Sequence, residues 1–257
     1  MNNKTDHWHQ HVGSVWALLL SKHALNCSGT IIEIGPGFTD KIGRGLAKLQ
    51  FQGRLYILEP NEVALEWVAE RYQIILPHAT IIAVNKTVQD ACTVLPSAVE
   101  AVLMNHVLDD MVLHAGLSPA RQQNIFSQTR PGESCLSQVK ETWQALLEDP
   151  QYLLALKQEV VTDLYNLIYH TDARIVGMSQ YKSWFLSQNE LEEADMIGNK
   201  LLGEIISLLG NTSLADKDIL RSYGQDEQDW LIIERETVFE ISDNKQEIIP
   251  QQLKIKV

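Results

Sequence analysis

Four short apolar runs recur along the first hundred or so residues: TIIEI (30–34), RLYILE (54–59), ATIIAV (79–84) and VEAVLM (99–104). Helical segments alternate with them. A strand that is apolar on both sides has to be covered on both sides, so this rhythm predicts a mostly parallel sheet between two helical layers. Right-handed crossovers follow from strand twist, and they place a ligand cleft at the C-terminal ends of the strands. The chain has 257 residues, 45% of them apolar, which suffices for one such core in a single domain spanning 1–257.

Around that sheet the punctuation is uneven. VGSVWALLLSKHAL (12–25) reads as a helix with one apolar face, within an N-terminal helical cap over residues 1–28. GPGFTDKIGRGLAKL turns into a helix ending before Phe51, and another helix begins at Asn61. The next convincing strand after Met104 is ARIVGMS (173–179). That gap far exceeds the dozen or so residues that a strand–helix–strand link needs. Residues 111–171 are therefore expected to form a helical insertion over the cleft, or else an enlarged helical layer on the sheet's flank. NELEEADMIGNKLLGEIISLLG (189–210) reads as a further helix capped by Asn189. DILRSYG and WLIIERE predict a terminal antiparallel hairpin, and Val238–Val257 an edge strand or a surface wrap.

Composition narrows the partners. A net charge of −12 with no basic run argues against nucleic acid, which needs clustered Lys and Arg. Cys27, Cys92 and Cys135 form no CxxC pair, which fits a reducing compartment and offers neither a zinc site nor a disulfide framework. The polar start MNNKTDHWHQH lacks a basic-then-apolar leader, and no apolar run nears the ~20 residues of a bilayer span. The expectation is a cytoplasmic protein with a small-molecule partner and neither nucleic acid nor membrane. Nothing in the composition indicates an oligomeric state.

The stretch IIEIGPGFTD (31–40) carries the first chemical signal. Gly35 and Gly37 allow a tight turn that exposes backbone N–H groups at a helix start, where a phosphate, a carboxylate or an amino-acid moiety could sit. Glu59 closes the second strand, 22 residues after Gly37, where a carboxylate can accept from a ribose diol. A dinucleotide reading is opposed twice. An acid at Glu33 repels a pyrophosphate but suits a cationic amino group, and the third glycine of GxGxxG is replaced by Asp40.

These residues resemble the class I S-adenosylmethionine-dependent methyltransferase family, of small-molecule type. The first motif, acid-x-Gly-x-Gly-x-Gly, is here Glu33-Ile-Gly35-Pro-Gly37-Phe-Thr39, with Thr39 departing from the third glycine. The ribose acid matches Glu59 in YILEPN, the adenine-framing pair matches Asp90 and Ala91 in QDACTVLP, and the fourth strand ends in MNHVLDD (104–110). The resemblance covers residues 30 to about 110. It implies a Rossmann-like sheet of seven strands, mostly parallel, with S-adenosylmethionine as cofactor. It also implies that Glu33, Gly35, Pro36 and Gly37 meet the methionine moiety. Glu59 and Pro60 would meet the ribose, Asp90 and Ala91 the adenine, and Asn105 and His106 would form the inner wall. Glu59 before Pro60 also reads as a helix cap, and Asp90 as a turn cap.

Methyl transfer requires a base only when the acceptor must shed a proton. His106, with Asp109 and Asp110 three and four residues on, is the candidate catalytic group; packing beside the cofactor is the other reading. The later Asp-Asn pair of magnesium-dependent relatives is missing, so no metal is expected. His7, Trp8, His9 and His11 could form a substrate lid, with Trp184 and Phe185 further substrate-side candidates. His114, Trp143, Tyr152, Tyr165, Tyr169 and His170 are expected mostly to pack. The expected activity is methyl transfer to oxygen or nitrogen of a small metabolite. Aminopropyl or aminocarboxypropyl transfer and a non-catalytic nucleoside-binding domain are the alternatives.

Overall fold

The apolar runs fold as strands. In the computed structural model, which describes residues 3–122, 125–126, 136–182, 184–188, 191–209 and 215–234, β1 (Thr30–Ile34), β2 (Arg54–Leu58), β3 (Thr80–Val84), β4 (Ala101–Asn105) and β5 (Ile175–Ser179) are all parallel. β6 (Trp230–Glu234) runs antiparallel to β5 and completes the order β3-β2-β1-β4-β5-β6. The chain leaves β1 toward one edge and returns at β4 to build toward the other. The strand ends beside β1 and β4 are therefore the switch point, where such a sheet opens a crevice.

Side-chain alternation divides the core. Ile31, Leu55, Ile57, Leu103, Ile175 and Ile232 face one layer. That layer contains α1 (Asn3–Lys22), α2 (Lys41–Lys48) and α3 (Glu62–Ile75). Ile32, Ile34, Val102, Met104, Val176 and Leu231 face the other. There lie α4 (Val88–Ala91), α5 (Leu108–Ala115), the single turn α6 (Pro119–Gln122), α7 (Leu136–Glu148), α8 (Pro150–Thr171), α9 (Trp184–Gln188) and α10 (Glu192–Leu209). β4 and β5 are buried along their full length, as double coverage demands, whereas β3 is partly exposed at the sheet's edge.

The expected N-terminal cap is α1, which begins nine residues before the apolar face read at Val12 and lays Val12, Val15, Trp16, Leu19 and Leu20 into the core. Trp16 meets Trp230 of β6 within the same layer, ring centroids 5.0 Å apart and planes tilted by 59°. The expected insertion is chiefly α7 and α8; Asp149 caps α8 by accepting from the Tyr152 N–H.

Two expectations need correction. DILRSYG is not a strand: Asp216 accepts from the N–H groups of Asp218 and Ile219 and starts a helix, α11 (Lys217–Ser222). The terminal hairpin is thus replaced by a helix and one antiparallel strand, and six strands rather than seven stand among the described residues. The capping chemistry of Asp216 outweighed a short apolar pattern that fits either period. The edge strand or surface wrap expected from Val238–Val257 and the cap at Asn189 lie outside the described residues. Among those described, no helix is long and apolar enough to cross a membrane.

Candidate functional site

The glycine turn hangs on the neighbouring strand. Gly35 has φ +60° and Gly37 φ +55°. The Gly35 N–H donates to the Leu58 carbonyl at 2.8 Å, and the Gly37 N–H to Glu59 Oε2 at 2.9 Å. Glu59 Oε1 accepts from the Asn61 N–H at 2.9 Å. Each carboxylate oxygen keeps room for another donor. Burial raises the proton affinity of Glu59, and the two backbone N–H groups offset part of that. A Cβ on Gly35 would lie 2.3 Å from Val107 Cγ2, whereas one on Gly37 would meet nothing within 4 Å among the described residues.

A cleft of about 600 Å³ opens at this point. Gly35, Pro36, Gly37, Glu59, Pro60, Asp90, Asn105, His106 and Asp110 all line it, so most of the residues named from the sequence converge. Ala91 does not; it is the last residue of α4 and is fully buried. Asp90 is exposed and accepts from Thr87 Oγ1 at 3.3 Å, so both its readings survive.

Glu33 is the principal departure. It shares the side of β1 that carries Ile31, facing α2 and α3, and it does not line the cleft. Tyr72 Oη donates to Glu33 Oε1 at 3.0 Å and itself accepts from the Gly43 N–H. Glu33 Oε2 is buried with no partner among the described residues. Burial pushes this carboxyl up to about 8, outweighing the Tyr72 hydrogen bond. Engaged by Tyr72 and on the far side of the strand, Glu33 does not present its carboxyl to the cleft where a cationic amino group was expected to meet it, and the strand's two-residue period is the reason.

His106 follows β4 with φ +57°, a strained value for a residue with a side chain. Its N–H donates to the Ser179 carbonyl at 2.7 Å, which holds it there. The ring's Nδ1 lies 3.7 Å from Asp109 Oδ1, and its Nε2 is buried without a hydrogen-bond partner among the described residues. Asp109 is itself held by Gln180 Nε2 at 2.8 Å, and Gln180 Oε1 accepts from the Leu108 N–H. Asp109 therefore stands behind the imidazole, while Asp110 keeps contact with solvent through the cleft. The enclosing walls, then the Asp109 and Glu59 carboxylates, raise the proton affinity of Asp110.

The N-terminal cluster is distributed differently from the expected lid. His9 Nδ1 lies 2.8 Å from Asp40 Oδ1, a carboxylate that also accepts from Arg44 and Arg71. Burial alone would raise Asp40, but His9, Arg44 and Arg71 hold it well below the usual carboxylate range. His11 Nε2 lies 2.9 Å from the Tyr223 carbonyl, Trp8 stacks on His11 and meets Tyr181 edge-on, and His7 is exposed. None of the four lines the cleft. Trp184 and Phe185 fall at the start of α9, and their side chains lie outside the described ones. Trp143 packs in the core, and Tyr152 and Tyr169 are exposed.

The sequence reading missed several walls. Lys41, Lys86, Met111, Glu159, Val160 and Asp163 line the cleft, and so does His114, which had been expected to pack; burial lowers its proton affinity. The two acids of α8 were invisible because only the fold brings that helix over the switch point. Lys41 carried a local signal: a cation at a helix start opposes the helix dipole and asks for another reason to be there. Glu59, Asp90, Asp110, Glu159 and Asp163 face two lysines, which makes the walls predominantly acidic.

No protein-family model matches the sequence, and no curated protein does. Among solved structures, the chain is similar to one from Clostridium thermocellum provisionally described as an rRNA methylase (11% identity, TM-score 0.44, 80% of this chain and 87% of that one). It is also similar to the methyltransferase domain of bacterial CtHen1 (14%, 0.43, 88% and 98%) and to a SAM-dependent methyltransferase from Aquifex aeolicus (11%, 0.37, 69% and 77%). With TM-scores below 0.5, these likenesses leave fold and function to the chain's own geometry.

The two glycines should respond unequally to alanine. Gly37→Ala is expected to cost ~1–2 kcal/mol from its positive φ alone. Gly35→Ala adds the collision with Val107 and should cost about 1–3 kcal/mol more. Denaturant midpoints check this, and equal losses would contradict the packing described. Glu33 generates a pH dependence. Its folded value lies above the unfolded one, so the native state retains a proton that the unfolded chain loses between about pH 4.5 and 8. Stability therefore falls as pH rises through that window and levels above it. Relative to wild type, Glu33→Gln should gain on the order of 3 kcal/mol between pH 5 and 8. A difference that is constant with pH would show Glu33 to be ionised.

Proposed function

We propose that this chain is an S-adenosylmethionine-dependent methyltransferase whose acceptor is a small molecule carrying an oxygen or nitrogen nucleophile. The observation that carries the reading is Glu59. It closes β2 at the switch point, is bound to the glycine turn through the Gly37 N–H, and presents two oxygens with spare acceptor capacity to the cleft. Two acceptors side by side match a ribose diol. The open side of Gly37 accommodates a ligand where any side chain would stand. The surplus of carboxylates suits a sulfonium cation and opposes a pyrophosphate, a discrimination that the walls make in place of Glu33.

S-adenosylmethionine, when bound, supplies an electrophilic methyl carbon with a neutral thioether as leaving group. The chain's part is positioning, shielding and proton handling. Glu59 holds the sugar, Gly35–Gly37 give the tail a bare backbone, and Asp90 takes a donor from the base. His106 Nε2, buried and without a hydrogen-bond partner among the described residues, accepts the acceptor's proton; Asp109 steadies the resulting imidazolium from the Nδ1 side, and Gln180 steadies Asp109. The strained backbone holds His106 in the cleft wall, its ring 5.0 Å from that of Tyr181, at a stability cost of about 1–3 kcal/mol.

A small acceptor is supported by the acidic walls, by the net charge of −12 and by the absence, after Asn105, of the Pro-Pro-aromatic segment of base-directed enzymes. A second reading has its own observation. Asp110, Glu159 and Asp163 face the cleft and favour a polyamine acceptor, as an aminopropyl or aminocarboxypropyl transferase would need. A domain that binds the nucleoside without chemistry fits less well, because the cleft continues past His106 to Met111, His114 and Val160.

Titration calorimetry with S-adenosylhomocysteine tests the carrying observation. Glu59→Ala should weaken binding by roughly 10- to 100-fold, the worth of charge-assisted hydrogen bonds. Unchanged affinity would remove the ribose assignment. With labelled methyl donor and a cell extract, label should appear in a small metabolite, whereas methylthioadenosine released from that donor would indicate aminocarboxypropyl transfer. His106→Asn should slow incorporation by roughly 10²- to 10⁴-fold and abolish the acid limb of its pH profile; retention of both would exclude the base role.

A further inference from the structure

Lys41 is a buried ammonium whose partners do not account for it. It is the first residue of α2, four positions after Gly37, is 9% exposed and lines the cleft. Its Nζ donates to Tyr181 Oη at 2.8 Å and sits 5.3 Å from the centre of that ring. Tyr181 Oη also accepts from Asn105 Nδ2 at 2.9 Å. The Asn105 amide cannot turn round, because its Oδ1 accepts from Trp16 Nε1 and Ser179 Oγ, both at 3.0 Å. The network is thus set to present a hydroxyl oxygen to Lys41, and it supplies no anion. Among the described residues Lys41 forms no ion pair, and the adjacent Asp40 is occupied by His9, Arg44 and Arg71.

A buried cation is ordinarily paired, and at a helix N-terminus the backbone dipole adds to the cost of leaving it alone. Two of the three ammonium donors remain for something else. The cleft's other walls are mainly acidic, and of its two lysines, Lys41 and Lys86, Lys41 is the one at the start of the helix that follows the glycine turn. We infer that Lys41 recognises the α-carboxylate of the donor's amino-acid tail, and that through it the site selects carboxylated adenosyl donors over decarboxylated ones. The inference rests on the cofactor reading above and sharpens it: a methyl or aminocarboxypropyl donor keeps this contact, and an aminopropyl donor lacks it.

The test is a set of calorimetric titrations with S-adenosylhomocysteine, its decarboxylated analogue and methylthioadenosine, which lacks the tail. Wild type should bind the decarboxylated analogue roughly 10- to 100-fold more weakly than S-adenosylhomocysteine. In Lys41→Gln that gap should close to within about 3-fold, with methylthioadenosine affinity changed by less than about 3-fold. Equal or tighter binding of the decarboxylated analogue to wild type overturns the inference without need of any variant, and so does a gap that persists in Lys41→Gln. If methylthioadenosine binds and only the carboxylate preference is missing, Lys41 alone loses its role. If none of the three binds wild type, the nucleoside site and the inference fall together.

Discussion

The site depends on a carboxylate that belongs to one strand and is bound by the turn after another. Through the Gly37 N–H, Glu59 ties the exit of β1 to the exit of β2, and the Gly35 N–H repeats the tie at the Leu58 carbonyl. Both glycines stand at positive φ, which only a residue without a side chain adopts cheaply. With the turn held in this way, the start of α2 and the end of β4 become the two sides of a crevice. Everything that follows, from the spare oxygens of Glu59 to the placing of His106 in the cleft wall, needs those two sides to be fixed.

Charge is sorted by depth around this frame. Beneath the turn lies Glu33, whose proton affinity burial raises, and beside it Asp40, whose proton affinity three donors from α1, α2 and α3 lower. Asp40 therefore stitches three helices together where the cleft begins. Above the turn, five carboxylates and two lysines face the cleft. The buried acids serve architecture and the cleft acids serve recognition, although sequence position alone makes Glu33 and Glu59 look like equal partners.

The parallel sheet was legible because its strands are short, apolar and regularly spaced, and the structure confirms five of them within two residues. Gly35, Gly37, Glu59, Asn105 and His106 were legible because a strand end followed by a turn is a local event. What escaped has a physical reason in each case. The face on which Glu33 points is a matter of parity, and a shift of one residue would have put it into the cleft. α11 escaped because the cap at Asp216 decided a segment whose apolar pattern was too short to decide itself. Glu159 and Asp163 escaped because α8 meets the cleft only in three dimensions. His9 was read as a lid residue, although its imidazole is bound within the Asp40 cluster, a contact spanning thirty-one positions of sequence.

A crystal structure with S-adenosylhomocysteine tests the central claim most directly. The account predicts the ribose hydroxyls within hydrogen-bonding distance of the Glu59 carboxylate, the tail along Gly35–Gly37, and the sulfur on the His106 side of the cleft. A nucleoside bound elsewhere, or one whose sugar leaves Glu59 in contact with only Gly37 and Asn61, would contradict it.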